Sequence, residues 1–178
     1  MRALMILVVL SCAGCLSSTD YPTDWPQPSL AESECPGIFG RYADAGRLAS
    51  TRGGNPAHPQ SVLSRYFFEY DNREISHTVS SPVDEDSIRV ESFEAGNKPL
   101  SRRLDRGEHF TCDDGRLWVT DQLRIVDDGF SLRGSERIGL ALSEDGSLTG
   151  ESRVRASGRV LVIPVFAREA DHVLWETH

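Results

Sequence analysis

The chain has 178 residues, with 19 lysine and arginine side chains against 27 aspartate and glutamate side chains, a formal net charge of -8. This length is enough for one domain with a substantial hydrophobic core. A phosphate backbone attracts clustered positive charge, so an acidic chain argues against a nucleic-acid partner.

The first 14 residues have the pattern of a secretory signal peptide. Arg2 precedes an apolar run from Ala3 to Leu10, and small residues follow. Eight apolar residues are fewer than the roughly 20 that a membrane-spanning helix needs. The order of charge, apolar run and small residues predicts a cleaved signal over residues 1–14. A buried N-terminal strand is the alternative interpretation.

The end of this segment, Ala13-Gly14-Cys15, resembles the lipobox of bacterial lipoproteins. The resemblance implies that Cys15 becomes the N-terminus and carries acyl chains such as palmitate, which hold a soluble domain on a membrane. A second register would lipidate Cys12 instead. Cys15 is preferred because Cys12 then leaves with the signal, and Cys35 and Cys112 remain as an even pair in an oxidising compartment.

The residue after the lipidation site is Leu16 rather than the aspartate that retains proteobacterial lipoproteins in the inner membrane. By the same resemblance, we expect the mature protein on the outer membrane, lipid-anchored and facing the periplasm. The mature chain would keep 18 basic and 27 acidic side chains, a net charge of -9.

Residues 15–34 are predicted to form an extended tether. This segment contains Pro22, Pro26 and Pro28, and proline fixes φ and removes a hydrogen-bond donor. Tyr21 and Trp25 are exceptions to its polar character. They are expected to dock on the domain or lie at the membrane interface, and the alternative is a short recognition element.

Residues 35–178 are predicted to form one β-rich domain. In its first half, strands are expected around Gly37–Tyr42, Glu74–Ser80 and Ser87–Phe93, and a loop is expected over Ala43–Pro59. The stretch Ser61–Tyr70 has apolar residues at positions 62, 63, 66, 67 and 70, a spacing typical of one short amphipathic helix.

Three acidic-glycine turns predict hairpins in the second half, because Asp-Gly supplies the positive φ that tight turns need. A two-residue turn at Asp114-Gly115 would pair Cys112 with Leu117, Phe110 with Val119 and Thr111 with Trp118. A similar turn at Asp128-Gly129 would pair Ile125 with Leu132. A three-residue loop with a left-handed Gly146 would pair Leu142 with Leu148.

The last predicted strands run from Val154 to Val165 and from Asp171 to Trp175. Gly158 is expected to mark a bend or bulge, and Pro164 an edge or a strand end. The fold class that follows is mainly β, a single antiparallel meander that forms a sandwich or a partly closed barrel, with one short amphipathic helix.

The two remaining cysteines are expected to form a disulfide. Cys35 opens the sequence Cys35-Pro36-Gly37-Ile38-Phe39-Gly40-Arg41-Tyr42, which resembles the entry of small uncharacterised proteobacterial lipoproteins and implies no known activity. In the periplasm a bridge between Cys35 and Cys112 is favoured. Two buried thiols are the alternative.

The search for chemistry in the sequence gives few candidates. The five histidines have no metal-ligand spacing, the acid pairs beside glycines are explained by turns, and no nucleophile elbow or phosphate loop is found. We therefore predict no metal, no cofactor and no catalytic residue.

Two arginine clusters remain, in an otherwise acidic chain. Arg153, Arg155 and Arg159 share one strand face, and Arg102, Arg103 and Arg106 lie close together in sequence. Pairing with Glu136, Glu144 or Glu151 would neutralise the first cluster. The other interpretation is a surface for an anionic envelope component or an acidic protein.

Three function hypotheses follow. The first is an envelope lipoprotein that serves as a binding, assembly or structural module. The second is a β-barrel that carries a small apolar ligand. The third is a hydrolase with an Asp/Glu or His site that forms only in three dimensions.

Overall fold

The structure is a computed structural model that describes residues 15–30, 35–49, 62–68, 74–94, 96, 98–127, 130–160 and 163–178. Its described strands form two open sheets packed face to face, which confirms the mainly β fold and identifies it as a sandwich. No helix in these ranges is long and apolar enough to span a membrane.

The larger sheet contains seven strands. Five consecutive antiparallel strands form most of it. Two short strands from the N-terminal part pair with the last of the five, Cys15–Ser18 in parallel and Arg47–Leu48 antiparallel. The strands are β1 (Cys15–Ser18), β3 (Arg47–Leu48), β7 (Phe110–Asp113), β8 (Arg116–Asp127), β9 (Phe130–Leu142), β10 (Leu148–Val160) and β11 (Ile163–Trp175).

The smaller sheet has the strand order β2-β4-β5-β6. Its strands are β2 (Gly40–Ala43), β4 (Ile75–Asp84), β5 (Ser87–Glu94) and β6 (Leu100–Asp105). The residues that follow β11 hydrogen-bond to β2, since Ala43 N–H donates to Glu176 O and His178 N–H donates to Arg41 O. The two sheets are therefore joined along this side.

One hydrophobic core fills the space between the sheets. Alternate residues of each strand point inward, as the two-residue period of a strand requires. The larger sheet contributes Leu117, Ile138, Leu140, Val173 and Trp175, and the smaller contributes Tyr42, Ile88, Val90 and Leu104, all buried.

The predicted hairpin registers are confirmed. Cys112 pairs with Leu117, Phe110 with Val119 and Thr111 with Trp118. Ile125 pairs with Leu132, and Leu142 pairs with Leu148. Gly146 has the expected left-handed conformation, with a φ of 86°, and Ser143 N–H donates to Ser147 O across that loop.

The prediction for the last strands was wrong at its far end. The chain does not continue as one strand to Val165, because β10 ends at Val160 and β11 begins at Ile163. Arg159 pairs with Pro164 across this hairpin. Gly158 lies in an unbroken register rather than at a bulge, and it allows close approach: a Cβ there would lie 1.8 Å from Ser131 O.

The predicted amphipathic helix is a single 3-10 turn, Ser64–Tyr66. The apolar residues that indicated a helix are buried, with Leu63, Tyr66 and Phe67 in the core. Three residues of a 3-10 turn are enough to place them, because the side chain of Asp44 accepts hydrogen bonds from the Ser64 N–H (2.7 Å) and hydroxyl (2.9 Å) and fixes the segment. Residues 61, 69 and 70 and most of the predicted 43–59 loop lie outside the described residues.

The N-terminal segment lies along the domain rather than extending from it. Cys15 and Ser18 pair with Ala167 and Ala170 of β11. Trp25 is buried, and the Tyr21 ring makes edge-to-face contacts with Trp25 and His172. The expectation that Tyr21 and Trp25 dock on the domain is confirmed for the described residues 15–30; residues 31–34 and the signal segment 1–14 lie outside the described ranges.

The predicted disulfide between Cys35 and Cys112 is present, and it links residues 77 positions apart in the sequence. It connects the segment before β2 to β7, so it ties one sheet to the other. Both cysteines pack against the core.

Candidate functional site

The outer face of the larger sheet carries a cluster of exposed arginines. Residues paired across neighbouring strands point to the same side of a sheet. The registers therefore place six exposed arginines on one side, the side turned away from the core, and we call this set the arginine face: Arg133, Arg137, Arg153, Arg155, Arg159 and Arg168.

Three members of the arginine face, Arg153, Arg155 and Arg159, were predicted from the sequence, and the other three were not. Arg137 lies opposite Arg153, and Arg168 lies opposite Arg155. Like charges directly opposite each other destabilise a sheet. The two pairs therefore cost folding free energy in the isolated protein, and a bound anion would relieve that cost.

Carboxylates neutralise only part of the arginine face. Glu151 is the one acidic residue that the described parts of β9, β10 and β11 place on this side. It pairs with Arg153 at 2.5 Å and with Arg116 at 3.5 Å. Among the described residues, Arg155 and Arg159 make no ion pair, so the expected neutralisation by glutamates applies to Arg153 alone.

The other two glutamates that could have paired with the arginines lie elsewhere. Glu136 points to the core side of β9, where its carboxylate accepts hydrogen bonds from Arg65 (2.7 Å), Tyr66 (3.2 Å) and Ser152 (3.0 Å). Burial and the nearby Glu136 charge raise the pKa of Tyr66 well above its usual value. Glu144 is exposed in the turn between β9 and β10.

Trp118 holds one end of the arginine face in place. Its ring is buried and lies against Gly139, where a Cβ would be 2.7 Å from the indole. The guanidinium groups of Arg137 and Arg153 stack on the ring at 4.9 Å and 4.7 Å from its centre. Cation–π contacts of this kind orient the two arginines without neutralising their charge.

The second arginine cluster is neutralised by acids. Arg103 pairs with Asp84 at 2.9 Å and with Asp105 at 2.8 Å. Arg106 lies 3.7 Å from Asp86, and Arg102 donates a hydrogen bond to Phe67 O. This cluster therefore offers a mixed surface rather than a basic one.

A cavity of about 400 Å³ lies where the 3-10 turn meets β6 and β8. Aromatic and aliphatic side chains form part of its wall, including Phe67, Leu104 and Val119. The rest of the wall is charged or titratable, and it carries both signs: Arg65, Arg102, Glu108, His109 and Asp121.

Three titratable residues beside this cavity come together in a way the sequence did not predict. The ligand atoms of Asp105, Glu108 and His109 lie within 4.8 Å of one another. The backbone N–H of Asp105 donates to Nδ1 of His109 at 3.1 Å, so a neutral His109 carries its proton on Nε2. In that tautomer the Nδ1 lone pair accepts the Asp105 N–H and Nε2 bears the proton, which disfavours metal ligation by this histidine.

Comparison of the chain with models of known protein families, with curated proteins and with solved structures finds no significant match in any of the three.

Proposed function

We propose that this protein is a lipid-anchored module of the bacterial cell envelope whose arginine face binds an anionic partner. The observation that best supports binding by the arginine face is its six exposed arginines, which lie on one side of a chain with a net charge of -8. Four of the six make no aromatic or ionic contact in the described structure. A random distribution of charge in so acidic a chain would place carboxylates among them. Glu151 is the one acidic residue that the described parts of β9, β10 and β11 place there.

The anchor is tested by the intact mass of the protein extracted from membranes. We expect an acylated species in the wild type and in Cys12→Ser, and its loss in Cys15→Ser. Loss in Cys12→Ser alone would move the anchor to Cys12. Unacylated protein in all three would contradict the lipoprotein assignment.

Binding by the arginine face is tested on the mature chain from residue 15 with Cys15→Ser, which spans every described position and changes only Cys15. The probes are purified peptidoglycan sacculi and lipopolysaccharide, two anionic materials of the envelope, in a co-sedimentation assay. We expect Arg155→Glu with Arg159→Glu to reduce binding at least tenfold, since four units of charge change on the contact surface.

The matched control is Arg89→Glu with Lys98→Glu. These two exposed residues lie on or beside the smaller sheet and make no ion pair among the described residues. Their substitution changes the net charge by the same amount as Arg155→Glu with Arg159→Glu. We expect the control to lose much less binding. Equal losses in the two variants would show that net charge, and not the arginine face, determines binding.

A small charged ligand in the cavity near Arg65 and Arg102 is the second candidate function. The observation that favours it is the cavity's volume, which is within the range of small-molecule sites. Its charged wall argues for a polar ligand, in place of the apolar one that the barrel hypothesis assumed. Thermal-shift measurements with a panel of dicarboxylates test it, and Arg102→Gln should reduce any stabilisation found, because it removes a positive charge from the cavity wall.

A further inference from the structure

One exposed aromatic side chain lies within the arginine face. Phe166 is 60% exposed, the highest value among the large apolar side chains that the structure describes as exposed. It pairs with Ser157 of β10, so it points to the same side of the sheet as the arginines. Arg155 and Arg159 are its diagonal neighbours on β10, and Arg168 lies two residues further along β11.

This position is next to the proposed lipid anchor. β1 begins at Cys15, and Cys15 pairs with Ala167, the residue after Phe166. β1 is an edge strand of the larger sheet, so acyl chains attached at Cys15, its first residue, would leave the domain at the edge beside β11. A bilayer within reach of Cys15 would be within reach of Phe166 and Arg168 as well.

We propose that the arginine face docks on the anionic surface of the membrane that holds the lipid anchor, with Phe166 inserted at the interface. This inference rests on the proposed function, and it names the anionic partner as phospholipid headgroups. Aromatic side chains favour the membrane interface, and basic side chains are attracted to an anionic bilayer. A lipid chain and a basic patch together give stable anchoring where one signal alone is marginal.

The same contact explains how an acidic domain can lie on an acidic surface. The chain as a whole is repelled by an anionic bilayer, so only an orientation that presents the arginine face is attractive. The acidic residues of β11, Glu169 and Asp171, alternate with Arg168 and His172 and so point to the opposite side of the sheet. The domain would then lie flat on the membrane with the smaller sheet turned away.

The experiment measures binding of the unacylated mature chain, Cys15→Ser from residue 15, to vesicles of phosphatidylethanolamine and phosphatidylglycerol. Vesicles of phosphatidylcholine alone are the uncharged comparison. We expect binding to the anionic vesicles only, weakened by added salt. Arg155→Gln with Arg159→Gln should weaken binding about thirtyfold, from the attraction that each arginine contributes.

Insertion is tested at Phe166 itself. Phe166→Ser should weaken binding about tenfold, because the variant buries less apolar surface. Phe39→Ser is the matched control, since Phe39 is 44% exposed on the segment that leads into the smaller sheet, and it should leave binding unchanged. Far-ultraviolet circular dichroism of each variant reports whether it is folded.

Phe166→Trp gives a direct signal. The native tryptophans, Trp25, Trp118 and Trp175, are all buried, so the introduced indole is the exposed one. Its emission should shift to shorter wavelength when anionic vesicles are added, and brominated lipids should quench it. No shift and no quenching, in protein that does bind vesicles, would contradict insertion.

The remaining outcomes separate the two proposals. No binding to anionic vesicles, with binding to sacculi or lipopolysaccharide retained, would overturn membrane docking and leave the proposed function intact. No binding to any of the three would contradict both. Equal binding to phosphatidylcholine vesicles would show that charge plays no part and would also overturn the inference.

Discussion

Glu136 shows how one buried charge organises this core. Its side chain is 4% exposed and that of its partner Arg65 is 15% exposed, so both charges lie largely out of water. Tyr66 and Ser152 donate further hydrogen bonds to the same carboxylate. A buried pair is tolerated when hydrogen bonds satisfy it, and removal of one partner leaves an uncompensated charge.

Glu136→Ala should therefore lower the free energy of unfolding by about 3 kcal/mol, the lower end of the range for breaking a buried ion pair. Glu136→Gln retains hydrogen-bonding capacity and should lose less. The comparison is Arg103→Ala, where the ion pair with Asp84 is about half exposed and its removal should cost much less than Glu136→Ala. Urea unfolding measures all three, and equal losses at the two sites would show that burial does not matter here.

At the scale of elements, the N-terminal segment completes the outer face of the larger sheet. Leu174, Ala141 and Thr149 belong to the side turned away from the core, yet all three are buried. The segment around Trp25 lies over this end, held by hydrogen bonds from Thr19 N–H to Ala170 O and from Ser29 N–H to Leu142 O. One end of the outer face is thus covered, and the other end is left to the arginines.

Trp25→Ala should release this segment without unfolding the sandwich, since local opening requires less free energy than global unfolding. The amide protons of Thr19 and Ser29 should exchange at least tenfold faster. Those of Ile138 and Leu140, in the centre of the larger sheet, should keep their protection. Hydrogen exchange followed by mass spectrometry or NMR measures this, and uniform acceleration across the sheet would contradict a separate segment.

His172 makes the same cover sensitive to pH. Burial beneath Tyr21, helped by the positive charge of Arg116, lowers the pKa of His172 below its usual 6.5, against the opposing charges of Glu151, Asp171 and Asp20. Between the lowered value and 6.5 the unfolded chain binds more protons than the folded one. The contribution of His172 to stability is thus complete above about pH 6.5 and is lost as the pH falls below it.

His172→Gln should remove that part of the pH dependence. Urea unfolding of the wild type and the variant at several pH values from about 5 to about 8 should give a smaller slope for the variant below about pH 6.5. Parallel slopes would show that other groups account for the acid sensitivity. Glutamine is chosen because it keeps a polar side chain of similar size against Tyr21.

The strands and turns also show which parts of the fold and of the candidate site could be predicted from the sequence. The registers at Asp114-Gly115 and Gly146 are local consequences of turn chemistry, so pairing on paper was sufficient. Arg137 and Arg168 could be assigned to the arginine face only once the registers of β9 and β11 against β10 were known. The cluster of Asp105, Glu108 and His109 depends on the shape of a turn that no sequence motif predicts. Docking of the proline-containing segment depends on a surface formed by strands that are distant in the sequence.

At the scale of the whole molecule, the disulfide between Cys35 and Cys112 is the one covalent cross-link between the two sheets in the described structure. The bond closes a loop that spans 77 positions, so in the chain-entropy model it disfavours the unfolded state by about 4 kcal/mol. All four strands of the smaller sheet lie within that loop, so reduction should loosen the smaller sheet relative to the larger one.

Cys35→Ser with Cys112→Ser should consequently lower the free energy of unfolding by about 4 kcal/mol. Dithiothreitol should lower the free energy of unfolding of the wild type by a similar amount and should not change that of the double variant. Urea unfolding with and without the reductant measures both. Two free thiols released on unfolding the wild type without reductant would show that the bridge is absent. The bridge could form and its loss still lower the free energy of unfolding by less than about 1 kcal/mol. That result would show that the unfolded chain already holds the two cysteines near each other, because a bridge then removes little conformational entropy from it.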